Sequence, residues 1–367
     1  MSKPKQIIYL DAPFLGSKEK EYLIRAIDSG YVSSVGPFIN EFEEKFARFL
    51  NVTKAIAIQS GTAAIHMALY ELGIGKGDEV IVPALTFVAT VNPIAYVGAT
   101  PVFVDVDPET WNIDPEDIER KVTERTKAII PVHLYGNPCN MDEISKIAKK
   151  YELYVIEDAT ESLGAKYRGK FTGTFGDFGC FSFNGNKLIT TGGGGMIVGN
   201  DEDRLNHIKF LVNQARDSFR RDYYHPELGF NYRMTNIEAA LGLAQFEQVE
   251  EFLSKKKLFY SIYCEELGKH PKISFQKEYE DGESCWWLVA ITIEGIDISE
   301  LQKKLLKEGI QTRRVFTPVV EFPMYKHERN NYLNSFSVYE KGLCLPSSVL
   351  NDVDDIFFVC KSLKNLI

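Results

Sequence analysis

The chain has 367 residues, of which 44% are apolar and 25% charged, and its 42 basic and 51 acidic side chains give a formal charge of -9. That length accommodates two domains and a large core, and the composition excludes extended low-complexity disorder. Neither half carries a basic block, which argues against nucleic acid as the partner; a few cations or a helix N-terminus would still suffice for an anionic small molecule. The opening stretch MSKPKQIIYLDAP lacks the apolar core of a signal peptide, and no run of about 18 apolar residues occurs, so a cytoplasmic protein is expected. The six cysteines (Cys139, Cys180, Cys264, Cys285, Cys344 and Cys360) form no CxxC pair, and the histidines show no HExxH spacing. Neither a disulfide scaffold nor a metal site is expected.

From residue 55 to 200, short β-rich runs alternate with helical patterns. Strands are predicted at 55–58, 79–83, 101–106, 128–133, 154–158 and 179–183, and helices at 62–72, 87–96, 115–121 and 141–151. Runs such as VIVP, AIIPV and YVIED are apolar without alternation, as in a parallel sheet covered by helices on both faces. Beyond residue 200 the pattern changes. Residues 201–210 read as helix, 216–232 as an irregular aromatic and charged stretch, and 235–267 as a long helix, straight or kinked, stopped by Gly268. A strand at 287–293 and helices at 299–308 and 353–363 complete the chain. The expectation is a large α/β domain over residues 1–250 and a smaller α+β domain over 251–367. No Pro/Gly/Ser linker separates them, so they should pack together.

Ligands of open α/β sheets bind beyond the carboxyl ends of the strands, and three such ends carry polar residues. Ser60-Gly61-Thr62 joins a strand to a helix and reads either as an ordinary cap or as an anion site at a helix N-terminus. Asp158 ends YVIED, as a helix cap or as the partner of a buried cation, with Glu161 just beyond it. Ser182 precedes Lys187, which lies between an aromatic strand and the glycines Gly192 to Gly195. A lysine amine becomes nucleophilic when desolvation lowers its pKa, and it then forms Schiff bases with carbonyls; the alternative is a glycine turn beside a surface lysine. A helix N-terminus for a phosphate, a carboxylate for a ring nitrogen and a lysine for an aldehyde together describe pyridoxal 5'-phosphate. Phe87 is placed to stack on its ring, or is a core aromatic.

The chain resembles the DegT/StrS-type nucleotide-sugar aminotransferases, which have the aspartate-aminotransferase, type I pyridoxal-phosphate fold. The likeness runs through GYVSSVGPFINEFEEKFA, SGTAAIHMAL, VIVPALTFVATVNPI, VIEDATESLGA, GTFGDFGCFSFNGNKLITTGGGGMI and LGFNYRMTNIEAALG. It implies that Lys187 holds the cofactor and later moves a proton, that Asp158 pairs with the ring nitrogen, and that Phe87 stacks on the ring. It also implies Gly61, Thr62 and Ser182 as phosphate binders, Glu161 beside the ring, and Asn231 at the phosphate of a partner subunit in a homodimer. Many relatives read TTGEGG where this chain has glycine at 193. Members with His in place of Lys187 carry out deoxygenation, so the lysine implies transamination.

The implied reaction moves an amino group from L-glutamate to the ketone of a nucleotide-linked sugar. The closest likeness is to 4-aminotransferases acting on UDP-2-acetamido-4-keto-6-deoxyhexose, as in legionaminic-acid or bacillosamine-type pathways. GDP-perosamine synthase-like activity and dTDP-keto-sugar 3- or 4-amination are the alternatives, and a pyridoxal-phosphate-binding regulator without turnover is an alternative of another class. A sugar nucleotide needs cations for its diphosphate: Arg233 and Arg313 are the candidates, with Arg220 and Arg221 behind them. His133 reads as a hydrogen-bonded core or cap histidine rather than an acid/base group.

Overall fold

The computed structural model describes residues 7–217, 219–220 and 222–367. Two helices precede the first strand, α1 (Ser17–Asp28) and α2 (Pro37–Leu50). Helix α2 buries Phe38, Phe42 and Phe46 at a four-residue spacing, and Asn51 in the left-handed conformation (φ 57°) ends it. Then β1 (Lys54–Ile58), α3 (Gly61–Glu71), β2 (Glu79–Pro83), α4 (Val88–Tyr96), β3 (Thr100–Val104), α5 (Pro115–Lys121), β4 (Thr126–Ile129), α6 (Met141–Tyr151) and β5 (Tyr154–Asp158) alternate as the sequence predicts. A short hairpin, β6 (Lys166–Tyr167) and β7 (Lys170–Phe171), leads to β8 (Phe178–Ser182) and β9 (Gly195–Gly199).

Seven of these strands form one sheet in the order β1-β9-β8-β5-β4-β2-β3. Its strands are parallel except β9, which runs antiparallel to both β1 and β8. Both faces are buried. Ile56 and Ile58 point into one apolar cluster with α3, and Ala55 and Ala57 into another with Phe42, Phe46 and Phe181. Strands β3 and β4 are shorter than predicted. Pro131 has no N–H to continue a ladder, and the chain beyond Val104 turns into the Val106–Ile113 bridge.

The remainder comprises α7 (Glu202–Leu211), α8 (Asn236–Phe246), α9 (Val249–Leu267), β10 (Ile273–Phe275), β11 (Gly282–Glu283), β12 (Val289–Ile293), α10 (Ile298–Lys307), β13 (Arg313–Arg314), α11 (Leu333–Lys341), β14 (Gly342–Leu345) and α12 (Val353–Leu366). An antiparallel sheet, β10-β12-β14-β13, packs under α9, α10 and α12. Ile8 joins this second core and bridges Ile310, so the start of the chain is held by its far end. The long helix expected over 235–267, straight or kinked, is two helices broken at Glu247–Gln248. Gln248 leaves helical geometry (φ -113°, ψ 4°), and its amide donates to Ala244 O at 2.8 Å and Glu19 Oε1 at 2.7 Å. Among the described residues no helix is long and apolar enough to cross a membrane, and no cluster of side chains suits a metal ion.

Candidate functional site

The carboxyl ends of β1, β2, β5 and β8 lie along one edge of the large sheet, where they enclose a cavity of about 330 Å³, a size suited to a small ligand. Strand β1 passes to α3 through Ser60, whose extended backbone and hydroxyl cap the helix by accepting Ala63 N–H at 3.1 Å. Gly61 and Thr62, the first two helical residues, line the cavity with Ser182 from the end of β8. A Cβ on Gly61 would stand 2.7 Å from Thr160 Cγ2 and 3.0 Å from Ser182 Cβ, and one on Gly195 would stand 2.6 Å from Phe181 O. Glycine at both positions lets the helix start settle against β8 and β9. A helix N-terminus flanked by small hydroxylic residues is an anion cradle.

Asp158 is buried at the end of β5, its Oδ2 accepting from Thr90 Oγ1 at 2.7 Å and its Oδ1 from Thr160 N–H at 3.1 Å. Lys187 lines the same cavity. Its Nζ lies 3.5 Å from Glu161 Oε1 and 4.0 Å from the centre of the Trp287 ring, a cation–π contact. Burial pushes the Glu161 carboxyl above the ordinary glutamate range, against the opposing pull of the Lys187 ammonium. Glu161 Oε2 also accepts Tyr135 N–H at 2.8 Å. Tyr135 holds a left-handed backbone (φ 58°), uncommon for an aromatic residue and costing on the order of 1 kcal/mol. Its ring stacks on Phe316 at 5.2 Å, and its Oη accepts Phe316 N–H at 2.8 Å, which keeps it there.

Trp287 is fixed in turn. Its Nε1–H donates to Asn186 O at 2.7 Å, and its carbonyl accepts from the buried Lys256 at 2.9 Å. Phe87, 53% exposed, caps α4 at the cavity rim and tilts against Phe316 at 5.5 Å. Arg313 reaches the cavity from β13 with Nη1 3.3 Å from Asp11 Oδ2, while its Nε and Nη2 are buried without a hydrogen-bond acceptor among the described residues. Buried donors left unpaired cost about 1–3 kcal/mol, and an oxyanion in the cavity would supply their acceptors.

Other expected residues lie elsewhere. Arg233, expected to hold a diphosphate, is turned behind β1, where it pairs with Glu43 and donates to Ala57 O at 3.2 Å; it does not line the cavity. Asn231 is exposed outside this chain's own cavity and bridges Asn213. Arg220 pairs with Asp222, and Arg221 lies outside the described residues. His133 is a core residue: Nδ1 accepts Cys139 N–H at 3.1 Å, which assigns the ring proton to Nε2 and its donation to Glu157 at 3.1 Å. Sequence reasoning missed Thr90, Tyr135, Trp287 and Phe316. The one available signal was the pair Thr86 and Thr90, four apart across the start of a mostly apolar helix, Thr86 just before it and Thr90 in its first turn.

The chain matches the model of the DegT/DnrJ/EryC1/StrS aminotransferase family over residues 13–364. It is 45% identical over 353 residues to the GDP-perosamine synthase of Escherichia coli O157:H7, covering 96% of each chain. It is 46% identical over 325 residues to the GDP-perosamine synthase of Caulobacter vibrioides, covering 87% of each. Among solved structures, the PLP form of the putative sugar aminotransferase Spr1654 from Streptococcus pneumoniae superposes with a TM-score of 0.94 at 26% identity, over 98% of both chains.

Proposed function

The chain belongs to the DegT/DnrJ/EryC1/StrS aminotransferase family, and on that footing we propose that it aminates the 4-keto group of GDP-linked 4-keto-6-deoxymannose with L-glutamate as donor. It is an aminotransferase of the type I fold, uses pyridoxal 5'-phosphate and serves nucleotide-sugar chemistry. The observation that carries the finer reading is the 45% and 46% identity to two GDP-perosamine synthases over most of each chain. This replaces the UDP-2-acetamido sugar expected from the motifs as the preferred acceptor.

The cavity fits the cofactor. The glycine-lined start of α3 and Ser182 suit its phosphate, Asp158 its ring nitrogen, and Lys187 its aldehyde. When bound, pyridoxal phosphate supplies the aldehyde and an electron-withdrawing ring that accepts charge from the reacting carbon. Asp158 would pair with the ring nitrogen and favour its protonated form. Lys187 would move a proton at its Nζ, as base and then acid. Glu161, 3.5 Å away, keeps the lysine nitrogen turned inward, with Trp287 as the lid over it. Phe87 at the rim would lie against the cofactor ring. Arg313, with two buried donors unpaired, takes an oxyanion of donor or sugar nucleotide.

The proposal includes a homodimer with shared sites. Supporting it are the exposed apolar side chains Leu15, Ile24, Ile27, Tyr31, Val32 and Val35, and the position of Asn231 away from its own chain's cavity. It also keeps the division into a large unit (1–250) and a small one (251–367), supported by the two main sheets, which share no strand, with β11 pairing β6 and Ile8 in the second core tying the units together. The test is mass spectrometry of products from GDP-, UDP- and dTDP-linked keto-sugars with glutamate. A much higher kcat/KM for the UDP-2-acetamido substrate than for the GDP substrate would overturn the assignment and restore the motif-based one.

A further inference from the structure

Beside Asp158 in the cavity wall are two buried hydroxyls, and we propose that Thr86 and Thr90 form a one-way hydrogen-bond ladder that positions the Asp158 carboxylate and so sets how firmly the cofactor ring nitrogen keeps its proton. The inference rests on the reading of Asp158 given above. Thr86, Thr90 and Asp158 are 1%, 2% and 3% exposed. Thr86 Oγ1 is 2.9 Å from Thr90 Oγ1, which is 2.7 Å from Asp158 Oδ2.

A threonine inside a helix ordinarily turns its hydroxyl to solvent or to the carbonyl four residues back. Thr90 instead reaches a carboxylate 68 positions away in the chain. Counting protons fixes the direction. A carboxylate has no hydrogen to give, so the one between Thr90 and Asp158 belongs to Thr90. That leaves Thr90 only acceptor capacity toward Thr86, which must therefore donate; its other acceptor, Phe87 O, is farther at 3.5 Å. Thr160 N–H holds Oδ1 at 3.1 Å, while Asp158 N–H donates to Pro131 O at 2.9 Å and Asp158 O accepts His133 N–H at 3.2 Å. The carboxylate is thus pinned on both oxygens and along its backbone.

The other ionisable groups near Asp158 are Glu161 and Lys187 in the cavity, Glu157 with His133 behind the strand, and the buried thiols Cys139 and Cys180. None of them is a donor in the hydrogen bonds that fix its two carboxylate oxygens. Valine in place of Thr90 keeps the side-chain shape and removes the donor to Oδ2. The carboxylate then carries its charge with one hydrogen bond fewer and draws the shared proton away from the ring nitrogen. The ring withdraws fewer electrons, so the nitrogen linking Lys187 to the cofactor becomes harder to deprotonate.

The test uses the cofactor-loaded enzyme and the absorbance of that linkage against pH, with single-turnover reaction with L-glutamate alongside. For Thr90→Val the titration midpoint should rise by about one pH unit, with the donor step about tenfold slower. Thr90→Ser, which keeps the hydroxyl, should lie near wild type. Thr86→Val, one step further out, should shift the midpoint the same way by less, and it serves if Thr90→Val does not fold. A midpoint unmoved in the folded valine variants, or a serine variant as impaired as the valine one, overturns the ladder. Asp158→Asn separates the two layers: if it too leaves the midpoint unmoved, the reading of Asp158 fails; if it alone shifts it, only the ladder does.

Discussion

Replacing Lys256 by methionine should change how stability depends on pH. Lys256 lies on α9, wholly buried, with Nζ donating to Trp287 O at 2.9 Å and Ser347 O at 2.8 Å. Burial lowers its pKa from 10.5 to about 8, with Cys285 and Asp11 opposing. The neutral amine keeps two N–H groups, one per carbonyl, so losing the third proton breaks no hydrogen bond. Because the folded value lies below the unfolded one, the unfolded chain binds more protons between about 8 and 10.5, and stability rises with pH across that window. The full effect is on the order of 3 kcal/mol, withheld at neutral pH and released by about pH 10.5. Burial raises the thiols of Cys285 and Cys344 to about 12, and these contribute slopes of opposite sign as they stay protonated in the fold. The quantity to measure is therefore the wild-type minus Lys256→Met difference, from urea unfolding at fixed protomer concentration between pH 7 and 10. It should grow with pH by roughly 2–3 kcal/mol. Parallel profiles would refute the reasoning and mean that the two carbonyls hold Lys256 charged in the fold.

Borohydride should fix the cofactor onto the peptide containing Lys187, and labelling confined to another lysine would remove the catalytic assignment. Gly195→Ala should weaken cofactor binding at least about tenfold in an absorbance titration, since its Cβ would press on backbone atoms at 2.6 Å that cannot rotate away; unchanged affinity would mean that the cradle lies elsewhere. Mixing inactive Lys187→Ala and Asn231→Asp chains should restore part of the activity, because one site in each hybrid dimer is then wholly wild type. No recovery, or a fully active monomer in sedimentation, would sink the shared-site dimer.

The alternation of strands and helices from residue 54 to 158 was legible because burial on both faces of a sheet demands continuous apolar runs, a local property of the chain. Ser60-Gly61-Thr62, Asp158 and Lys187 were legible for a related reason. Each follows a strand, and strand ends on one edge of a sheet must converge. What the sequence could not decide is the company these residues keep. Arg233 reads like any exposed cation until Glu43, 190 positions away, claims it behind β1. The helix break at Gln248 depends on Glu19 near the other end of the chain. Trp287 over Lys187 and Thr90 under Asp158 are contacts between segments 100 and 68 residues apart. Residue patterns record the period of a strand or helix because neighbours along the chain set it. They carry no record of which distant polar partner quenches a charge, since burial and hydrogen-bond geometry exist only once the layers have packed.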